Sequence, residues 1–191
     1  MKTLNGTQTE RNLLASFVRE SQESMRYKYY ASQAKKDGYI QIASIFSETA
    51  AQEGEHAKRM FQFLEGGSLE VTATYTAGVV GTTLENLKEA IIGENEEWAV
   101  DYPKFADIAD EEDFPEIALM YRAISIAEKG HEERYQAFID NIENERVFSR
   151  DEDVVWQCRN CGYIHVGKDA NIVCPACLHP QEYFEIRKEN M

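Results

Sequence analysis

Apolar residues recur at steps of three and four along four segments of the chain, which predicts four amphipathic helices. The first helix opens at residues 7–10 (Thr-Gln-Thr-Glu), a capping-box sequence, and closes at Gly38, which suits a left-handed cap. The second follows almost at once and stops at Gly66-Gly67, so the two should form an antiparallel hairpin. The third and fourth helices have start signals at residues 82–85 and 113–116.

The segments between and after these helices set the domain organisation. Residues 66–81 show no helical period, which indicates a long crossover connection between two helical hairpins. The helical period fades after Arg146, and residues 147–153 form a charged linker. The last segment, residues 154–191, is too short for a large core and needs a bound metal to hold it together. The pattern therefore predicts an all-α four-helix bundle over residues 1–146, followed by a small metal-binding module.

Charged residues interrupt the apolar face of each predicted helix. The second and fourth helices each carry a Glu-x-x-His turn, whose two side chains lie on one side of a helix. The first and third helices carry single glutamates, and the third has another glutamate one turn further along the same edge. The residues are Glu20 on the first helix, Glu53 and His56 on the second, Glu94 and Glu97 on the third, and Glu128 and His131 on the fourth.

This arrangement matches the ligands of a carboxylate-bridged dinuclear metal site inside a four-helix bundle. Carboxylates buried without a metal would be costly, because an unpaired buried charge destabilises a fold strongly. Oxygen-rich ligation with one nitrogen for each metal favours iron or manganese. Tyr27 and Tyr102 each lie about two turns along from a predicted glutamate ligand. Their spacing supports two interpretations equally: an aromatic core residue, or a hydrogen-bond donor to a carboxylate ligand.

All four cysteines lie near the end of the chain. They form two Cys-x-x-Cys pairs, Cys158 with Cys161 and Cys174 with Cys177. This spacing predicts a tetrahedral thiolate metal site. Zinc would make the module a structural ribbon, whereas iron would make it a one-electron carrier.

Composition excludes several kinds of partner. The net charge of −14 argues against binding to nucleic acid, which requires a basic face. No run of apolar residues approaches membrane length, and no apolar stretch follows Lys2 as it does in a signal peptide. Thiolate metal ligands require reduced cysteines. We therefore expect a cytoplasmic protein that binds neither membranes nor nucleic acid.

With these motifs the chain closely resembles the rubrerythrins over essentially its whole length. The resemblance rests on the glutamates and Glu-x-x-His turns, and on Cys-x-x-Cys-Gly-Tyr at 158–163 and Cys-Pro-x-Cys at 174–177. It implies a ferritin-like bundle that binds two non-haem iron ions, followed by a rubredoxin-like module with one iron bound by four cysteines. It also favours iron over zinc in the module, and it makes Tyr27 and Tyr102 partners of the metal ligands.

The resemblance further implies a peroxidase of oxidative stress defence. Such an enzyme reduces hydrogen peroxide to water with electrons that come from NAD(P)H through a separate reductase, or from a rubredoxin. The family is described as exchanging a histidine for a glutamate as ligand of one iron, and here these residues are His56 and Glu97. The candidate catalytic residues are therefore His56, Glu97, Tyr27 and Tyr102, and the expected assembly is a head-to-tail homodimer.

Three other functions fit parts of the pattern. A ferritin-type ferroxidase or iron-storage protein shares the bundle, but it has no need of a thiolate electron carrier and requires assembly into a cage. A di-iron oxidase would react faster with dioxygen than with peroxide. A metal-sensing or redox partner protein would hold zinc in its tail, and it would lack the visible absorption of ferric thiolate.

Overall fold

A computed structural model of the protein describes residues 3–188. In this range a helical domain precedes a small antiparallel sheet, which confirms the predicted bundle and tail module. The helical domain comprises α1 (Gln8–Lys36), α2 (Ile40–Phe61), α3 (Thr83–Glu96), a π-helical turn (Glu97–Asp101), α4 (Tyr102–Glu111) and α5 (Pro115–Glu143). The sheet comprises β1 (Ser149–Cys158), β2 (Ile164–Asp169) and β3 (Phe184–Ile186), with a 3₁₀ turn at Gln181–Tyr183.

Local sequence signals set the helix starts. The side chain of Thr7 accepts a hydrogen bond from the backbone N–H of Glu10, 3.1 Å away, and so caps α1. Thr82 and Glu85 form a reciprocal capping box at the start of α3. α5 begins with a proline, whose fixed φ suits the first helical turn. These starts agree with the predicted ones.

Two helix predictions need correction. α2 ends at Phe61 rather than at Gly66, because the residues that follow form tighter turns with bonds between residues three apart. The third helix is not continuous, since the π-helical turn separates α3 from α4. A π-helical turn inserts one extra residue into the helical register. Regular helical spacing would put Trp98 one turn after Glu94 on the buried face. With the extra residue, Trp98 is partly exposed and its indole N–H donates to Glu132 on α5.

The crossover between the two hairpins lies along α1. Residues 62–82 contain neither helix nor strand. The side chain of Gln22 donates to the carbonyl of Thr76 at 2.6 Å, and the hydroxyl of Tyr75 donates to the carbonyl of Ala15 at 3.3 Å. These bonds tie a long connection without secondary structure to the bundle, as the predicted crossover requires.

Two apolar clusters fill the bundle. One includes Phe46 and Tyr135, and the other includes Met60 and Tyr121. On every helix the predicted site residues lie between the positions that contribute to the two clusters. The charged site is therefore enclosed between two apolar layers, where unpaired charges are costly.

The tail module is a three-stranded sheet in the order β2-β1-β3, with both pairings antiparallel. β1 begins within the segment 147–153, which the sequence predicts as a linker. Trp156 and Phe184 fill the core of the module beside two of the cysteines. The module packs on the α1–α2 hairpin, where the ring of Phe148 stacks on that of Tyr39 with centroids 6.4 Å apart.

Candidate metal centres

The structure gathers a first group of potential metal ligands around His56. The group comprises Glu20, Glu53, His56 and Glu128, and one ligand atom of each residue lies within 4.8 Å of the others. Nδ1 of His56 lies 3.0 Å from Oε2 of Glu53 and 2.9 Å from Oε1 of Glu128. Three helices, α1, α2 and α5, supply these side chains, and the spacing of Glu53 and His56 puts both on one face of α2.

A second group forms around His131 and shares two members with the first. It comprises Glu53, Glu94, Glu128 and His131. Nδ1 of His131 lies 3.1 Å from Oε1 of Glu53 and 2.8 Å from Oε2 of Glu128. Glu53 and Glu128 thus turn one oxygen toward each histidine, whereas Glu20 and Glu94 each belong to one group. Two shared and two unshared carboxylates are what a dinuclear site needs for its bridging and terminal ligands.

Most of the ligand atoms of the two groups are buried and converge without making suitable hydrogen bonds. In the described residues, six of these atoms have no partner of acceptable hydrogen-bond geometry. They are Oε2 of Glu20, Oε1 of Glu53, Oε2 of Glu94, both carboxylate oxygens of Glu128, and Nδ1 of His131. Buried polar atoms of this kind are normally paired, and their convergence fits a pair of metal ions.

The negative charge of the buried carboxylates favours positive charge in the site. Burial by itself lowers the pKa of His131, but close contacts with carboxylates, that of Glu128 first, raise this pKa to about 12. The same balance raises the pKa of His56. Burial raises the pKa of Glu94, and the negative charge of Glu53 adds to the effect. Metal cations would supply this positive charge in place of protons. Both imidazoles could then stay neutral, as metal binding requires.

Two buried tyrosines bond to the unshared glutamates. The hydroxyl of Tyr27 donates to Oε1 of Glu94 at 2.6 Å. The hydroxyl of Tyr102 is hydrogen-bonded to Glu20 and also lies 2.9 Å from Oε1 of Glu97. Each tyrosine therefore reaches the glutamate of the opposite helix, not the one two turns away on its own helix. The structure places both hydroxyls as donors to carboxylates.

Glu97 lies at the edge of the site. It is the first residue of the π-helical turn and is only 1% exposed. Among the described residues it belongs to neither ligand group. Its Oε1 faces Tyr102 and lies 3.4 Å from Nε of Arg19. Burial raises the pKa of Glu97, and so do neighbouring carboxylates, that of Glu23 first.

Three polar residues beside the site were not predicted from the sequence. Arg19 and Glu23 lie on α1 near Glu20, and Glu23 is 1% exposed. In the sequence, these two residues and Glu20 form a group of charged residues on the otherwise apolar face of α1. That group is the pattern that could have identified them. Gln52 left no such signal, because it is itself at an exposed position of α2. Its Oε1 lies 3.1 Å from Nε2 of His131 and orients the ring with Nδ1 toward the carboxylates.

The four cysteines come together in the tail, with sulfur atoms within 4.8 Å of one another. The Sγ atoms of Cys158 and Cys177 are 3.8 Å apart. Those of Cys161 and Cys174 are 3.6 Å apart. A tetrahedron with metal–sulfur bonds of about 2.3 Å has edges of about 3.8 Å, so the four sulfurs are spaced for one metal ion. Cys158 and Cys174 are buried whereas Cys161 is exposed, so one edge of this site reaches solvent.

A four-helix bundle with two linked ligand groups, joined to a four-cysteine module, defines a ferritin-like dinuclear metal protein with a rubredoxin-like tail. Comparison with known families agrees with this class. A family model described as rubrerythrin matches residues 11–139. A second, described as the rubredoxin-like domain of rubrerythrin, matches residues 156–185. The chain belongs to the rubrerythrin family.

Similar proteins match nearly the whole chain. A rubrerythrin of Porphyromonas gingivalis is 54% identical over 189 residues, which is 99% of this chain and 94% of that protein. A rubrerythrin of Nitratidesulfovibrio vulgaris is 50% identical over 97% of each chain. A solved structure of nigerythrin in its fully reduced, all-ferrous state is 31% identical and superposes with a TM-score of 0.64, covering 97% of this chain and 89% of that chain.

The family, together with the two sets of ligands, defines the cofactors. The bundle carries a di-iron site of glutamate and histidine ligands, and the tail carries a rubredoxin-like four-cysteine iron site. The protein is therefore an oxidoreductase of the rubrerythrin type. Across residues 3–188, every helix falls short of the length or the apolar character that a membrane span requires.

Proposed function

We propose that the protein is a non-haem iron peroxidase that reduces hydrogen peroxide to water and defends the cell against oxidative stress. Each peroxide takes up two electrons and two protons as its oxygen–oxygen bond breaks and two water molecules form. The electrons come from an NAD(P)H-dependent reductase or from a rubredoxin. The observation that carries the proposal is the combination, in one chain, of a thiolate site open to solvent and a buried dinuclear site. The protein acts in the cytoplasm, where its thiolates stay reduced.

The metal ligands in this proposal come from the groups described above. Glu53 and Glu128, which belong to both groups, would hold both iron ions, Glu20 and His56 would hold one of them, and Glu94 and His131 would hold the other. Cys158, Cys161, Cys174 and Cys177 bind the third iron. When bound, the iron pair supplies the two electrons that peroxide takes up.

Glu97 would exchange with His56, so that one more carboxylate holds the oxidised pair. The four carboxylates of the two groups balance the four positive charges of two ferrous ions. Oxidation adds two positive charges, and a fifth carboxylate offsets one of them. Ferric iron is the harder acid and favours carboxylate oxygen over imidazole. The burial of Glu97 at the edge of the site, beside Tyr102, supports this role.

Tyr27 and Tyr102 hold the terminal carboxylates in place. Burial raises the pKa of both phenols, and the charge of Glu94 adds for Tyr27 and that of Glu20 adds for Tyr102. Both therefore stay protonated and keep donating hydrogen bonds at neutral pH. A ligand fixed in this way does not need to be reoriented when the site reacts.

Anaerobic stopped-flow measurements test the peroxidase proposal. The reduced, iron-loaded protein is mixed with hydrogen peroxide and, separately, with dioxygen, and oxidation of both iron sites is followed by visible absorption. We expect peroxide to oxidise the protein faster than dioxygen does. A faster reaction with dioxygen would instead identify a di-iron oxidase. The control is the Glu53→Ala, His56→Ala variant, which retains the tail site but lacks ligands of the dinuclear site.

Electrons pass between subunits of a head-to-tail homodimer, as the family resemblance implies. The exposed edge of the tail site at Cys161 supports this assembly, because that edge is open to a second subunit. The alternative is a route within one chain. In each chain the tail lies beside the first half of α2. Arg159 and Tyr183 of the tail line a cleft whose other side includes α2 residues up to Glu48.

A mixed dimer distinguishes the two routes. One subunit carries Cys161→Ser, and the other carries Glu53→Ala and His56→Ala. The intact tail and the intact bundle are then on different chains. Peroxide turnover with the reductase supports transfer between subunits. Its absence, with the remaining sites loaded with iron, would instead assign the route to one chain.

A further inference from the structure

Arg19 links α1 to the π-helical turn. Its Nη2 lies 2.5 Å from Glu96, and its Nη1 lies 2.6 Å from Asp101. Its Nε lies 3.4 Å from Glu97. The side chain of Arg19 is 16% exposed and that of Glu97 is 2% exposed, so the contact with Glu97 is the buried one. Because the two outer carboxylates hold both ends of the rigid guanidinium, its positive charge is held beside Glu97.

A second contact holds the same oxygen of Glu97. The same oxygen of Glu97 that faces Arg19 lies 2.9 Å from the hydroxyl of Tyr102. Within residues 3–188, neither ligand group includes Glu97, although Glu94, one turn earlier, belongs to the second group. The side chain is therefore held at the rim while His56 occupies the first group.

Buried charges around Glu97 are balanced separately from those of the metals. Glu23 is buried beside Glu97, and its Oε1 accepts a hydrogen bond from Nη2 of Arg26 at 2.9 Å. With ferrous ions bound, four glutamates offset the metals. Two arginines lie beside the other buried carboxylates: Arg26 beside Glu23, and Arg19, which also pairs with the more exposed Glu96 and Asp101, beside Glu97. Arg19 is thus the counter-charge of Glu97 when Glu97 is not a ligand. Removing it would leave a buried carboxylate with Glu23 as a repelling neighbour.

We propose that Arg19 is a positioning residue for Glu97, which it holds at the rim and so favours His56 as the ligand. This inference rests on the proposed exchange of His56 and Glu97. Since the rim position belongs to the ferrous form in that exchange, Arg19 stabilises the reduced site relative to the oxidised one. Without Arg19, Glu97 moves toward the metals, and the oxidised form gains stability.

The test is the reduction potential of the di-iron site in the iron-loaded protein, measured by spectroelectrochemical titration. We expect Arg19→Gln to shift the potential to lower values. The matched control is Arg134→Gln, which removes a positive charge on α5 whose partner is Glu48 at 2.8 Å. A shift no larger in Arg19→Gln than in the control overturns the proposal.

A second pair of variants separates positioning from the general effect of a lost charge. If Arg19 acts through Glu97, Arg19→Gln shifts the potential much less in a Glu97→Gln background than in the wild type. An equal shift in both backgrounds overturns the proposal, because it shows that the charge acts directly on the metals. Arg19→Lys keeps the charge but cannot reach three carboxylates at once, so we expect a smaller shift in the same direction.

A structural readout remains if any variant binds iron poorly. The protein is loaded with zinc, a divalent ion without redox chemistry, and crystallised. We expect Glu97 at the rim in the wild type and turned toward the metals in Arg19→Gln, and an unmoved Glu97 in the variant overturns the proposal. Neither the potential nor the coordinates depend on the oxidant. A protein that fails to reduce peroxide therefore refutes the proposed peroxidase function, but it does not test the role of Arg19.

Discussion

The hydroxyl of Tyr27 on α1 donates a 2.6 Å hydrogen bond to Glu94 on α3, a residue 67 positions further along the chain. Tyr102 forms the reciprocal link from α4 to Glu20 on α1. The two helices that contribute single glutamates are thus joined on both sides of the dinuclear site. Each tyrosine orients a carboxylate that its own helix does not supply.

Replacing Tyr27 with phenylalanine tests this link. The ring still fills the apolar cluster, but Glu94 loses its donor and becomes less well oriented. We expect the affinity for metal to fall by about 10–100-fold, the usual effect of removing a hydrogen bond to a metal ligand. The measurement is a competition titration with a chelator. Tyr30→Phe is the matched control, because in the described residues the buried hydroxyl of Tyr30 makes no hydrogen bond, and it should leave the affinity unchanged.

Replacing Glu97 with alanine separates metal binding from turnover. The four shared and unshared carboxylates remain, so we expect two irons per bundle by metal analysis. Peroxide turnover should fall by at least about tenfold, equivalent to ~1.4 kcal/mol of barrier. Glu55→Ala is the control, since Glu55 pairs on the surface with Lys58 at 2.8 Å. Wild-type turnover in Glu97→Ala would contradict the proposed role.

Replacing Cys161 with serine interrupts electron delivery. Serine cannot supply the fourth thiolate, so the tail site no longer functions as a rubredoxin-like carrier. We expect steady-state turnover with the reductase to be abolished. The bundle of the same variant should still react once with peroxide after chemical reduction, which shows that the dinuclear site is intact. Normal turnover with the reductase would mean that the tail is not the electron route.

Stability of the metal-free protein should depend on pH in a definite direction. The folded-state pKa of His131 is raised from 6.5 to about 12, so its proton stabilises the fold fully below pH 6.5. This contribution is lost progressively as the pH rises from 6.5 toward 12. Glu94 has a pKa raised above 4.5, so its buried carboxyl also favours the fold less once the pH exceeds that value.

Thermal unfolding checks this prediction. We expect the midpoint of the metal-free protein to fall between about pH 6.5 and pH 9, where an unperturbed histidine of the unfolded chain is mostly deprotonated but His131 in the fold keeps its proton. The zinc-loaded protein should change less over this range, because metal ions replace the protons as the positive charge of the site. Equal pH dependence of the two forms would contradict the electrostatic account of the site.

Short-range patterns in the sequence predict the bundle, the tail module and the kind of cofactor. The pairs Glu53 with His56 and Glu128 with His131 are three residues apart, so any helix puts their members side by side. The apolar period then says which face is buried. The cysteine pairs are equally local, and they define a thiolate site whatever the surrounding fold. The bundle, the tail module and the kind of cofactor were predictable for this reason.

The partners of those residues depended on the tertiary structure. Tyr27 lies seven residues after Glu20, whereas Tyr102 lies eight after Glu94, and the π-helical turn takes up the extra residue. The spacing of apolar residues does not predict this π-helical turn, because contacts with other helices are what stabilise it. Arg19 reaches Asp101, 82 residues away. Such contacts arise only when helices pack, so the sequence alone identified the candidate metal ligands, and the packing of the helices decided what orients them.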